Sequence, residues 1–155
     1  MKIVVIGSAG RLGAALTREY QNKFAVTGFN HAQLDLSDFD VIREKLRREK
    51  NAKLIHFSTD YVFDGEKRKP YTEEDEAKPI SVYGDSKLAG EKNVLAAQGG
   101  HLIMRVSWVF GPDRPSFIDA MIKCAREEEY IEAIADKFST PTYTLDIAEM
   151  LPRFF

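Results

Sequence analysis

Tyr83 and Lys87 stand four residues apart in the stretch PISVYGDSKLAGE, residues 79–91. Of the six tyrosines, this one alone has a lysine at i+4. On a helix, positions i and i+4 share a face, so the ammonium can approach the phenol. A phenol ordinarily titrates near pH 10. To give and recover a proton near neutrality it must be lowered by about three units, or about 4 kcal/mol. One positive charge about 4 Å away, at an effective dielectric near 20, supplies about that much. The positive nicotinamide ring of an oxidised cofactor would add to it. The pair therefore reads as the general acid for a carbonyl under reduction. Ser58 and Thr59, at the end of an expected strand, place hydroxyls that can donate to the same carbonyl oxygen. The alternative is a plain pair on a helix surface.

A second group of residues bears on the hydride source. GSAGRLG carries Gly7, Gly10 and Gly13 after an apolar run and ahead of a helical pattern. Glycine permits a tight turn and lets backbone N–H groups approach a pyrophosphate. The helix N-terminus adds about half a positive charge. The spacing is GxxGxxG, and simple close packing is the competing reading. The next expected strand ends in GFNHAQ, without the acid that grips a ribose 2′-hydroxyl. That favours NADP over NAD, or tolerance of both. Asp35, in LDLSD, is either an adenine neighbour or a turn residue.

Composition narrows the classes further. The 155 residues are expected to form a single NAD(P)-binding Rossmann-like domain, 1–155. The 22 basic and 24 acidic residues are well mixed, for a net charge of −2. No basic stripe points to nucleic acid, and no basic amphipathic helix points to a membrane surface. The apolar opening MKIVVIG is too short for a signal peptide or a membrane span. Cys124 is the only cysteine, which excludes an internal disulfide. It is expected to be buried or inert, in a reducing cytosol. His31, His56 and His101 lack a second His or Cys at ligand spacing, so no metal site is expected.

The elements that must position these residues alternate. KIVVI is a buried parallel strand, followed by a helix from Leu12 to about Asn22. FAVTGF is a second strand and QLDL a possible short third. SDFDVIREKLRREK is an amphipathic helix with Ser37 as N-cap and Phe39, Ile42 and Leu46 on its apolar face. AKLIHFS is a strand. The polar stretch Thr59–Pro79 is long enough to be functional or disordered. A helix runs from about Ser81 to Ala97. Gly90 in its middle costs about 1 kcal/mol relative to alanine, so something is expected to pack closely there. HLIMRVSWVF is a strand, PSFIDAMIKCAREEE a helix and YIEAIAD a short strand. TLDIAEMLPRFF begins a helix that Pro152 limits. The pattern is that of an α/β, doubly wound parallel sheet, with ligands at the carboxyl ends of the strands.

GSAGRLG, STDYVFDG, YGDSKLAGE, RVSWVFGP and STPTYTLDIAE together resemble the dTDP-4-dehydrorhamnose reductases, among the extended short-chain dehydrogenases/reductases. The resemblance runs almost end to end. It implies a reductase that uses NADPH, or NADH, on the 4-keto group of a nucleotide-linked 6-deoxyhexose. By position, Thr59 matches the catalytic hydroxyl and Tyr83 the acid. Lys87 matches the residue that binds the nicotinamide ribose and tunes the tyrosine. Gly7, Gly10, Arg11, Leu12 and Gly13 match the phosphate loop, Asp35 and Leu36 the adenine site, and Ser58 a further cofactor contact. Tyr61 and Trp108 match aromatic residues of the sugar site; for Trp108 the alternative is ordinary core packing. Family members are nearly twice as long. A central strand–helix unit, with an N-x-A-A-x-T-like loop, is expected to be missing between LRREK and NAKLIHF, and most of the substrate lobe after STPTYTLDIAE. That loss is expected to expose apolar surface that a second copy can cover, making a homodimer. If it leaves the site incomplete, the alternative is a non-catalytic dinucleotide-binding or regulatory relative.

Overall fold

A computed structural model describes residues 1–34, 54–96, 101–132, 134–136 and 138–155. The expected helix at 37–50, together with Asp35 and Leu36, lies outside the described residues. The chain divides into two compact units, Met1–Glu49 with Trp108–Phe155, and Lys50–Ser107.

The first unit opens with β1 (Lys2–Ile6), α1 (Arg11–Tyr20) and β2 (Ala25–Phe29). β1 and β2 are parallel, in register from Lys2 opposite Ala25 to Ile6 opposite Phe29. α1 buries Ala15, Leu16 and Tyr20, one helical face. The Tyr20 hydroxyl donates to the Ala148 carbonyl at 2.7 Å. Its ring meets Phe24 and Phe155 edge-on, at centroid distances of 5.6 and 5.8 Å. Burial, with the Glu19 charge adding, pushes the Tyr20 phenol up to about 12.

The expected strand HLIMRVSWVF is interrupted. Its second part, β5 (Val109–Phe110), follows Trp108, whose φ of 42° is left-handed. A non-glycine residue there costs about 1–2 kcal/mol and breaks the extended path. β5 pairs in parallel with β6 (Thr142–Tyr143), and Phe110 stacks on Tyr143 at 5.1 Å. The short strand expected at YIEAIAD does not form among its described residues, which are loop and bends. Tyr130 and Ile134 are exposed there, so no buried face rewards strand pairing. α3 (Phe117–Glu127) starts at a box in which Ser116 N donates to Asp119 Oδ2 at 2.7 Å. Cys124, expected to be buried or inert, is exposed on α3. α3 buries none of its residues, so the thiol has no covering layer. α4 (Thr144–Met150) ends in a 3-10 turn, Leu151–Phe154, with Pro152 near its start.

The second unit holds β3 (Ile55–Thr59), a 3-10 turn (Asp60–Val62), α2 (Val82–Ala96) and β4 (Leu102–Val106). β3 and β4 are parallel, from Ile55 opposite Leu102 to Thr59 opposite Val106. The polar stretch after Thr59 is ordered by its own contacts. Phe63 and Tyr71 stack at 4.2 Å, the Tyr71 hydroxyl donates to Asp64 at 2.8 Å, and Lys67 pairs with Asp75 at 2.5 Å. No helix among the described residues is long and apolar enough to cross a membrane.

Candidate active site

α2 is seated by its glycines. Ser81 Oγ accepts from Gly84 N at 3.1 Å, which starts the helix where the sequence pattern places it. A Cβ on Gly84 would stand 2.2 Å from the Tyr61 carbonyl oxygen, so only glycine lets α2 approach the 3-10 turn. This approach brings Tyr83 and Tyr61 together, edge-on at 5.9 Å. Tyr83 is 55% exposed, and among the described residues its hydroxyl makes no hydrogen bond. The phenol is thus open to an outside acceptor. Gly90 faces His56, whose Nε2 a Cβ would meet at 3.4 Å. Something does pack against Gly90, at ordinary contact distance.

Lys87 Nζ donates to the Phe57 carbonyl on β3 at 2.8 Å. Its hydrogen bond therefore goes to the strand rather than to the phenol one turn earlier. Burial holds its pKa below the ordinary lysine value, against an opposing pull from Glu91. His56 is also lowered, by burial first and then by the Lys87 charge, with Glu91 again opposing. The Thr59 hydroxyl donates to Asp60 Oδ1 at 3.1 Å and accepts from Tyr61 N at 3.3 Å. For Thr59 to donate to a substrate oxygen, that oxygen must take the place of Asp60. The Ser107 hydroxyl donates to the other Asp60 oxygen at 2.6 Å. Ser58 is buried, and its hydroxyl lies beside Glu91, whose pKa it helps to lower.

In the first unit the glycine loop has a distinct part for each glycine. Gly7 has φ +78°, and a Cβ there would enter open space. Gly10 caps α1, with Gly10 N donating to the Gly7 carbonyl at 2.9 Å and no side chain capping the helix. Gly13 is forced: a Cβ would stand 2.1 Å from the Gly7 carbonyl oxygen. Gly7 N and Ser8 N donate to the Phe29 carbonyl at the end of β2, at 2.8 and 3.0 Å. An uncapped helix start behind a tight glycine turn, with room above Gly7, fits a pyrophosphate. Leu12 is half-buried beside it. Arg11 is otherwise engaged: its Nε and Nη2 donate to the Pro115 carbonyl at 3.1 and 2.7 Å. Trp108 is half-buried with its ring edge-on to Phe117 at 4.9 Å.

Two groups had no role assigned from the sequence. Asp60 gathers the hydroxyls of Thr59 and Ser107. Glu91 pairs with Arg105 through Nε at 3.0 Å and Nη2 at 2.7 Å. Glu91 lies at i+4 from Lys87 in SKLAGE, so its place on the same face was readable. Among the described residues, no group of three or more His, Cys, Asp or Glu could hold a metal.

Residues 45–154 match the model of the RmlD substrate binding domain. The spore coat polysaccharide biosynthesis protein SpsK of Bacillus subtilis (strain 168) is 38% identical over 104 residues, 67% of this chain and 37% of that protein. The dTDP-4-dehydrorhamnose reductase of Sinorhizobium fredii is 46% identical over 95 residues, 61% and 32% of the two chains. That of Aggregatibacter actinomycetemcomitans is 36% identical over 138 residues, 84% and 47%. The chain thus spans about a third to a half of these relatives. Among solved structures, a dTDP-4-dehydrorhamnose reductase from Clostridium acetobutylicum superposes with TM-score 0.91 at 27% identity, over 99% of this chain and 69% of that one. The Bacillus anthracis reductase in complex with NADP gives 0.90 at 25%, over 99% and 69%. The α/β fold is therefore that of these Rossmann-like reductases, and the chain belongs to the RmlD substrate-binding-domain family.

Proposed function

We propose that the chain is an NAD(P)H-dependent oxidoreductase that reduces the 4-keto group of a nucleotide-linked deoxysugar. The observation that carries this reading is the first turn of α2. It holds an exposed Tyr83 phenol against Tyr61, its hydroxyl without a partner among the described residues, one turn before the strand-anchored Lys87. The bound dinucleotide would supply hydride to the carbonyl carbon. Tyr83 gives its proton to the carbonyl oxygen as the C=O becomes an alcohol. Lys87, as a cation, stabilises the phenolate left behind and binds the nicotinamide ribose. Thr59 donates to the same oxygen on exchange with Asp60. Gly7, Gly10 and Gly13 form the pyrophosphate turn. Asp35, Leu36 and Ser58 are assigned to the cofactor, and Tyr61 and Trp108 to the sugar. Arg11 belongs to the phosphate loop through its backbone N–H, its side chain being held by Pro115. The NADP bound to the Bacillus anthracis reductase supports NADPH as the cofactor.

A second reading is a non-catalytic binding module, favoured by the engagement of the Thr59 hydroxyl with Asp60 and of Lys87 with the Phe57 carbonyl. One pair of measurements separates them: fluorescence titration with NADPH, and NADPH oxidation with a dTDP-4-keto-6-deoxysugar. The reductase reading expects saturable binding and substrate-dependent oxidation. Binding without turnover supports the module instead.

A further inference from the structure

Behind the Tyr83–Lys87 turn lies an ionic cluster to which the reaction itself gives no part. Glu91 is only 2% exposed, and both its oxygens are taken by the Arg105 guanidinium from β4. The Arg105 plane lies over the Phe63 ring, 4.8 Å from its centroid, and Phe63 in turn stacks on Tyr71. Lys87, four residues before Glu91 on α2, bonds to the Phe57 carbonyl of β3. We propose that Glu91 is a positioning residue for Lys87: clamped by Arg105, it fixes the helix face from which the ammonium is presented and supplies a buried negative charge on that face.

Three observations carry the assignment. Lys87 and Glu91 share one face of α2 by their spacing, and each is tied to a different strand of the same parallel pair. A buried ion pair is seldom more stabilising than apolar side chains of the same size, so stability alone is a weak reason for Glu91. The charge balance of the cluster also depends on Glu91. β3 contributes His56 and Ser58, and β4 contributes Arg105. α2 itself contributes Tyr83, Lys87 and Glu91. Without Glu91, Lys87 and Arg105 are two cations in one partly buried space. The Lys87 ammonium responds to burial, which lowers its pKa, and to Glu91, which raises it. Burial is the largest single influence on the Glu91 carboxyl and raises its pKa, but the bonds from Arg105 and Ser58 and the charges of Arg105 and His56 together outweigh it and bring it below the ordinary value.

The purpose of the role rests on the reductase reading, but its test does not need turnover. The Lys87 titration midpoint is read from lysine 13Cε shifts in the full chain, with the signal assigned by Lys87→Arg. In Glu91→Gln the Lys87 midpoint is expected to move to lower pH while the other lysines stay in place. Glu91→Asp should restore most of it. In an active chain, kcat of Glu91→Gln should fall about 10- to 100-fold with a smaller change in NADPH affinity. The double variant Glu91→Gln/Arg105→Gln leaves neither charge unpaired and removes a cation along with the anion, so its Lys87 midpoint should move less than that of Glu91→Gln. An unchanged Lys87 midpoint in Glu91→Gln, or loss of the fold in both variants, assigns the pair to stability alone and overturns the proposal. An inactive chain with a shifted midpoint would overturn the reductase reading and leave this one standing.

Discussion

A single methyl group separates the roles of the glycines. At Gly13 a Cβ would stand 2.1 Å from a backbone oxygen, which no rotamer can relieve. Gly13→Ala is expected to cost about 1–3 kcal/mol by urea denaturation, and NADPH binding with it. At Gly90 the nearest atom is 3.4 Å away. Gly90→Ala should therefore be tolerated, with a helix-propensity gain of up to about 1 kcal/mol. Tyr20 offers a test by pH. Its folded pKa is raised to about 12 from a reference near 10. The folded chain then holds the proton that the unfolded chain releases. The contribution of Tyr20 is thus complete below about pH 10 and is lost as pH rises through about 12. Relative to Tyr20→Phe, the unaltered chain should lose stability more steeply over that window. Below it, the variant should be weaker by about 1 kcal/mol, the hydrogen bond to Ala148.

Elements show what a sequence can and cannot disclose. β1, α1 and α2 were readable because Gly7 ends β1, Gly10 precedes α1 and Ser81 precedes α2, and β2 and β3 were readable from their β-branched and aromatic content. YIEAIAD looked like a strand for its Ile and Tyr content, but propensity creates no strand where those side chains stay exposed. The break at Trp108 was invisible, since nothing in VSWVF announces a left-handed φ. Local placement was legible: α2 starts after Ser81, so Tyr83 and Lys87 fall one turn apart on one helix, and Gly13 stands against the Gly7 carbonyl. It was not legible where it depends on pairing between elements. The hydrogen bond of Ser107 to Asp60, and the capture of Arg11 by Pro115, require residues distant in sequence. Gly84 tests how α2 is seated. Gly84→Ala must push α2 away from the Tyr61 carbonyl, 2.2 Å from the added carbon. The expected result is about a 10²-fold loss of kcat with NADPH affinity nearly unchanged. Equal turnover would show that the Tyr83–Tyr61 approach is dispensable.

At the scale of the molecule, family membership and proposed activity rest on different grounds. The match over residues 45–154 and the TM-scores of 0.91 and 0.90 establish the family and the fold. The activity comes to the chain from relatives of which it spans a third to a half, so it must be shown for this chain directly. The glycine turn lies in one unit and the Tyr83–Lys87 turn in the other. The most direct measurement compares NADPH oxidation by the unaltered chain and by Tyr83→Phe, with a dTDP-4-keto-6-deoxysugar and with NADPH affinity read in parallel. The account predicts turnover in the unaltered chain, a loss of about 10²-fold or more in the variant, and unchanged NADPH binding. Equal rates in the two would contradict it.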